Sequence, residues 1–221
     1  MIGFVYPASP HVRKHGPAGY KDYSSYRDWL RDEFTFRCVY CLHREQWEYR
    51  GGSFHVEHSV PSSVDPGKRC DYSNLLYACG SCNEAKQALV GLPNPCDVGF
   101  GDCLRILADG KIEALSADGE KLKQVLRLGS EKTVAGRSRW MRILEAVCTS
   151  EPGLYEELMG FPKDLPDLRS TKVPENSKPE GAINCYFTFR ERGELEAFYR
   201  AAQLHPGSGG WLGPNTSQSP K

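Results

Sequence analysis

Residues 54–87 read FHVEHSVPSSVDPGKRCDYSNLLYACGSCNEAKQ, and a second cysteine pair, CVYC, lies just upstream at Cys38 and Cys41. Each Cys-x-x-Cys pair forms a tight turn whose two thiolates point to one centre, so Cys38, Cys41, Cys79 and Cys82 together suit a tetrahedral zinc ion. Four sulfurs close such a site and leave no position for chemistry. Glu57, His58, Asn74 and Asn83, which sit between and beside the two pairs, therefore need a separate explanation.

The local pattern places these residues on regular elements. GGSFHVEHSV follows a glycine pair and reads as a short strand stopped by Pro61. PSSVDPGKRCDYS has the composition of a loop. NLLYACGSCNEAKQALV passes from an apolar run through the second cysteine pair into a helix predicted to end near Gly91 and Pro93. Glu57 and His58 then lie at the end of a strand, and Asn83 lies on the first turn of the helix. A strand and helix sharing one zinc are held face to face. Carboxylate and amide oxygens are hard ligands suited to Mg2+ or Mn2+, and an adjacent imidazole can act as general base near neutral pH. Singly, each residue has a plainer reading: Glu57 as an exposed strand carboxylate, Asn74 as a turn residue, Asn83 as a helix-start cap.

Working outward, YSSYRDWLRDEF carries Tyr23, Tyr26, Leu30 and Phe34 at helical spacing, which predicts a helix packed against the first cysteine pair. GLPNPC marks a boundary. CLRILADGKIEALSADGE reads as a hairpin turning at ADGK. GEKLKQVLRLG and SEKTVAGRSRWMRILEAVCTSE read as two helices, the second capped by Ser130 with Trp140, Leu144 and Val147 on one face. PDLRSTKVPENSKPEGA is a polar linker, INCYFTFRERGELEAFYRAAQL is expected to add a strand and a last helix, and the tail from Pro206 is expected to be disordered. These readings divide the chain into residues 1–92, 93–165, 166–205 and 206–221.

Of the nine cysteines, four are accounted for by the two pairs, and an odd total argues against a disulfide framework. No apolar run approaches the roughly 20 residues needed to span a bilayer, and the first residues lack an apolar core of signal-peptide length, so a cytosolic protein without a membrane partner is expected. The 28 basic residues balance the 28 acidic ones, which speaks against a protein that coats nucleic acid through net charge. The local exception runs from Lys121 to Arg142, where Lys121, Lys123, Arg127, Lys132, Arg137, Arg139 and Arg142 face Glu131 alone. That segment is the best candidate for tracking phosphates, with Arg13, Lys14 and Lys21 as a second contact.

The order Cys-x-x-Cys, Glu57-His58 with Pro61 three residues on, Asn74, then CGSCNEAK resembles the HNH endonucleases with a four-cysteine zinc centre, over residues 36–87. The resemblance implies an α+β fold: a treble-clef zinc finger holding a ββα-metal (HNH) core, followed here by a mainly helical C-terminal lobe. It implies a metal-dependent endonuclease that hydrolyses phosphodiesters in DNA, or in RNA, with structural Zn2+ and catalytic Mg2+ or Mn2+. His58 matches the general base, and Glu57 the acidic metal ligand, where the family more often has Asp. Asn83 matches the second metal ligand, and Asn74 the residue that orients the base through the backbone. Lys86 matches a basic residue of the final helix that can contact phosphate, and His55 lies two residues before Glu57 on the same strand face. NPCD with the hairpin and Arg-rich helix that follow is similar to bacterial HNH proteins of anti-phage systems, which work beside an ABC-type ATPase. The contrasting expectation is a non-catalytic zinc module that binds nucleic acid or a protein partner.

Overall fold

The computed structural model describes residues 3–48, 53–174 and 179–195. A 3-10 turn at Tyr23–Tyr26 leads into helix α1 (Arg27–Glu33); strand β1 (Phe54–His58) pairs antiparallel with β2 (Leu75–Cys79), and α2 (Gly80–Lys86) begins at the very next residue. Then come α3 (Phe100–Cys103), a second two-stranded antiparallel sheet of β3 (Leu104–Ile106) and β4 (Ile112–Ala114), α4 (Ala117–Val125), α5 (Glu131–Ser150), α6 (Pro152–Met159) and α7 (Tyr186–Glu191). The mixed architecture, the strand at Phe54–His58, the hairpin turning at ADGK and the central helices follow the sequence reading. α5 starts where its cap requires, with the Ser130 side chain accepting from the Thr133 N–H.

Three expectations are corrected. α2 stops at Lys86 and does not run on to Gly91, because Gln87 takes a backbone φ of 49° that no helix can continue. Among the described residues no strand lies immediately before α7; Pro179–Asn184 is a 3-10 turn, and Cys185 then leads directly into α7. The expected disordered tail lies outside the described residues. α3 and α6, each short, carried no periodic signal long enough to read.

β2 is buried along its whole length and forms the floor of the core. One continuous apolar cluster joins it to Trp29 and Leu30 of α1, Phe100 of α3, Leu122 of α4 and Leu144 of α5. Trp47 bridges the two halves by stacking on Trp140, with ring centroids 4.7 Å apart, and by donating its Nε1–H to the Leu158 carbonyl at 2.8 Å. The first residues cross this assembly as an extended arm. Gly99 lets the arm pass, since a Cβ there would lie 2.0 Å from the Ala8 carbonyl oxygen.

From Trp29 to Glu33 every residue of α1 is buried, unlike the one-sided helix its spacing predicts. Asp32 and Glu33, with no solvent exposure, anchor the arm. Glu33 accepts from the His11 ring at 2.7 Å, the Lys14 and His15 backbone N–H groups at 3.0 Å, and the Tyr72 hydroxyl at 3.1 Å. Asp32 meets the His15 ring at 2.8 Å and the Lys14 ammonium at 2.5 Å, and accepts the Tyr186 N–H at 2.7 Å, which ties α7 to the same point. Arg13 lies over the Tyr72 ring and donates to the Leu75 carbonyl at 2.6 Å. Arg13 and Lys14, expected to contact nucleic acid, are thus engaged within the fold.

Burial alone would raise the Glu33 carboxyl, but the His11 hydrogen bond, the His15 and His11 charges and the Lys14 N–H together hold it down to about 2, from an ordinary 4.5. A depressed carboxylate stabilises the fold above its unfolded pKa and loses that contribution as pH falls through the folded one. The difference corresponds to about 3 kcal/mol. Glu33→Gln should therefore lower Tm at pH 7, and its gap from wild type should narrow as pH drops from about 4.5 towards 2; thermal melts across that range check this, and a gap independent of pH contradicts it.

Candidate active site

Cys38 and Cys41 come from the loop after α1, Cys79 closes β2, and Cys82 lies in the first turn of α2. Their sulfurs all lie within 4.8 Å of one another, and none is in a disulfide. Sulfurs about 2.3 Å from a tetrahedral zinc stand about 3.8 Å apart, and the Cys41 and Cys79 sulfurs are 3.6 Å apart. The Cys79 thiol is held far below its ordinary range by hydrogen bonds from Cys38, Cys41 and Cys82, while burial pushes the Cys38 thiol up. The four cysteines can hold one zinc ion, and among the described residues they are the only such metal-binding cluster.

The hairpin register sets Glu57 opposite Leu76 and His58 opposite Leu75. Glu57, His58 and Asn83 line one pocket of about 210 Å³, completed by Pro61, Ser62, Ser63, Gln87 and Ala88. Two hard oxygen donors and one imidazole thus face a common space. The donor chemistry fits a divalent cation such as Mg2+ or Mn2+, which the Glu57 carboxylate and the Asn83 amide oxygen could hold.

His58 is oriented by the backbone. Its Nε2 lies 2.9 Å from the Arg69 carbonyl oxygen, which can only accept, so Nε2 carries the proton and Nδ1 keeps its lone pair. The Tyr23 ring packs edge-on against the imidazole at 4.9 Å, and the Arg69 guanidinium lies over Tyr23 in turn. Burial lowers the His58 pKa, and the Lys86 and Arg69 charges lower it further, against the opposing Arg69 hydrogen bond. The ring therefore favours the neutral, proton-accepting form.

Asn74 lies beneath this site and outside the pocket. Its Oδ1 accepts from the Val60 N–H at 2.8 Å, and its Nδ2 donates to the Val60 and Lys68 carbonyls at 2.9 and 3.1 Å. One side chain thus staples both ends of the loop that presents Pro61, Ser62, Ser63 and Arg69. The Asn74 side chain bonds backbone groups on either side of that loop.

The predicted nucleic-acid contacts divide. Lys86 is 1% exposed and pairs with Glu57, and Arg137 is 4% exposed and donates to the Gly110 and Leu128 carbonyls at 2.6 and 3.1 Å. Neither reaches a phosphate; both are internal. Arg139 and Arg142 are exposed on α5, and Lys121, Arg127 and Lys132 are exposed nearby in the chain. None of them lines the pocket. His55 is exposed, with its ring beside Gly80 at the start of α2 and outside the pocket. Tyr23 and the Arg69 carbonyl had no signal in the sequence, being 35 and 11 residues from His58 in a chain read by local pattern.

With this geometry in view, the family model described as HNH endonuclease matches residues 38–89. The match spans both cysteine pairs, the hairpin and α2, and identifies a nuclease-type domain in this part of the chain. No curated protein matches the chain.

The clamp generates a measurable outcome. Purified protein should carry one zinc, and Cys79→Ser should lose both the zinc and the folded state, since binding and folding are coupled. Cys103→Ser, a buried cysteine outside the cluster, should keep its zinc. Elemental analysis with melting curves decides; a Cys79→Ser protein that keeps its zinc, or that melts like untreated wild type, contradicts the assignment.

Proposed function

We propose that the chain is a metal-dependent endonuclease that hydrolyses phosphodiester bonds in DNA, with residues 38–89 forming a treble-clef finger around a ββα-metal core and the mainly helical part beyond serving as an accessory lobe. The observation that carries this reading is the convergence of Glu57, His58 and Asn83 on one pocket. A zinc module that only binds has no use for two hard ligands and an oriented imidazole facing the same space.

The roles follow from the contacts. Nδ1 of His58 takes a proton from the attacking water, because Nε2 is already committed to the Arg69 carbonyl. Tyr23 and the Asn74 staple keep the ring and its loop in place while the proton moves. Glu57 and Asn83 would hold a divalent cation, which when bound would supply Lewis-acid polarisation of the phosphate; breaking the P–O3′ bond releases a 3′ hydroxyl and leaves a 5′-phosphate end. The zinc on the four sulfurs is structural. DNA is the favoured substrate, approached across the exposed Arg139 and Arg142. Among the described residues, no contact at the site calls for an anti-phage setting or an ABC-type ATPase partner.

The test is cleavage of plasmid DNA with Mg2+ or Mn2+. His58→Ala should fold and keep zinc but lose activity by about 10²-fold or more, the range for a general base. Wild-type protein that cuts no faster than His58→Ala would remove the enzyme and leave the binding module.

A further inference from the structure

The Lys86 side chain is the feature this reading leaves unexplained. It is the last residue of α2, one turn beyond Asn83, and it turns inward beneath the pocket. Its ammonium lies 2.6 Å from Glu57 Oε1 and 2.7 Å from the His58 carbonyl oxygen. At 1% exposure it cannot reach a nucleic acid. The positive charge is therefore directed at the carboxylate assigned to the cation.

We propose that Lys86 is an internal counter-ion that competes with the divalent cation for Glu57 and keeps the affinity of the substrate-free site low. This rests on the reading of Glu57 and Asn83 as cation ligands. A cation seated on Oε1 at about 2.1 Å stands no farther than about 5 Å from the ammonium. At that separation two positive charges repel strongly unless water intervenes, and a buried pair is screened little by salt. The ammonium has a second acceptor in the His58 carbonyl, so it can release Oε1 without becoming wholly unpaired. Glu57 thus has a stable partner in the absence of metal, and the same partner opposes metal entry. A purely structural lysine would fix the fold without altering cation affinity in this direction.

The experiment is Mn2+ binding to zinc-loaded full-length protein, counted as free Mn2+ by electron paramagnetic resonance. Lys86→Met removes the charge; Lys86→Gln removes it while keeping a hydrogen-bond donor for Glu57 and the His58 carbonyl. Both should bind Mn2+ roughly tenfold or more tightly than wild type. Zinc content and circular dichroism confirm the fold of each. Folded variants with equal or weaker Mn2+ affinity overturn the proposal and leave the cation site standing. Loss of zinc and fold in both variants also overturns it, by making Lys86 a folding residue. Glu57→Gln and Asn83→Ala separate the two levels: if neither weakens Mn2+ binding in the wild-type background, the cation site itself fails and this inference with it.

Discussion

Everything at the candidate site depends on the junction at Cys79 and Gly80, where a strand becomes a helix within one peptide bond. Helices and strands are usually joined by a loop that lets them pivot. Here Cys79 ends β2, Cys82 lies one turn into α2, and both sulfurs meet those of Cys38 and Cys41. An ion bound to the four sulfurs fixes the angle between hairpin and helix without any contribution from the apolar core. It also closes the long stretch between Cys41 and Cys79, whose closure entropy would otherwise oppose folding. Asn83 is set by α2 and Glu57 and His58 by β1. Their convergence on one pocket is a consequence of that angle.

The soft and hard donors are kept apart by the same geometry. The sulfurs gather on the side of the hairpin end where Phe54 pairs with Cys79, and the oxygens gather at the other end, where His58 pairs with Leu75. Along β1, Glu57 lies three residues and His58 four from Phe54, the partner of Cys79, while on α2 Asn83 follows Cys82 directly. A second anchor, the Asp32–Glu33 pair, holds the arm, α1, Tyr72 and α7 together. Two adjacent buried carboxylates are tolerable because donors from three chain segments, the arm, Tyr72 and α7, satisfy them. Tyr72 leads into Asn74, and Tyr23 leads into α1, so this anchor also steadies the loop and ring that hold His58.

The parts of the site legible in the sequence are those carried by short spacings. Two Cys-x-x-Cys pairs, a strand ending in Glu57-His58 and a helix opening with Asn83 can each be read from a few neighbouring residues. Charge counting along the chain failed where helical facing decides. Arg137 lies seven residues before the buried Leu144, and Lys86 lies four after the buried Cys82, so both sit on inward faces. That spacing was available in the sequence, and a tally of positive residues ignores it. Tyr23, the Arg69 carbonyl and the Asp32–Glu33 anchor were beyond reach for another reason. Their roles exist only after distant segments meet, and each residue type is common at helix ends and loops.

Once the internal cations are subtracted, the electrostatics of the site take a different form. The chain has no net charge, Lys86 cancels Glu57, and Arg13, Lys14 and Arg137 are spent inside. The pocket therefore has little field of its own with which to gather either cations or phosphates. A cation alone meets the Lys86 charge; a phosphodiester alone meets Glu57. Together each supplies the charge the other lacks, so the site is electrostatically complete only when both are present. On the endonuclease reading proposed above, the divalent cation and the phosphodiester would therefore load as a pair.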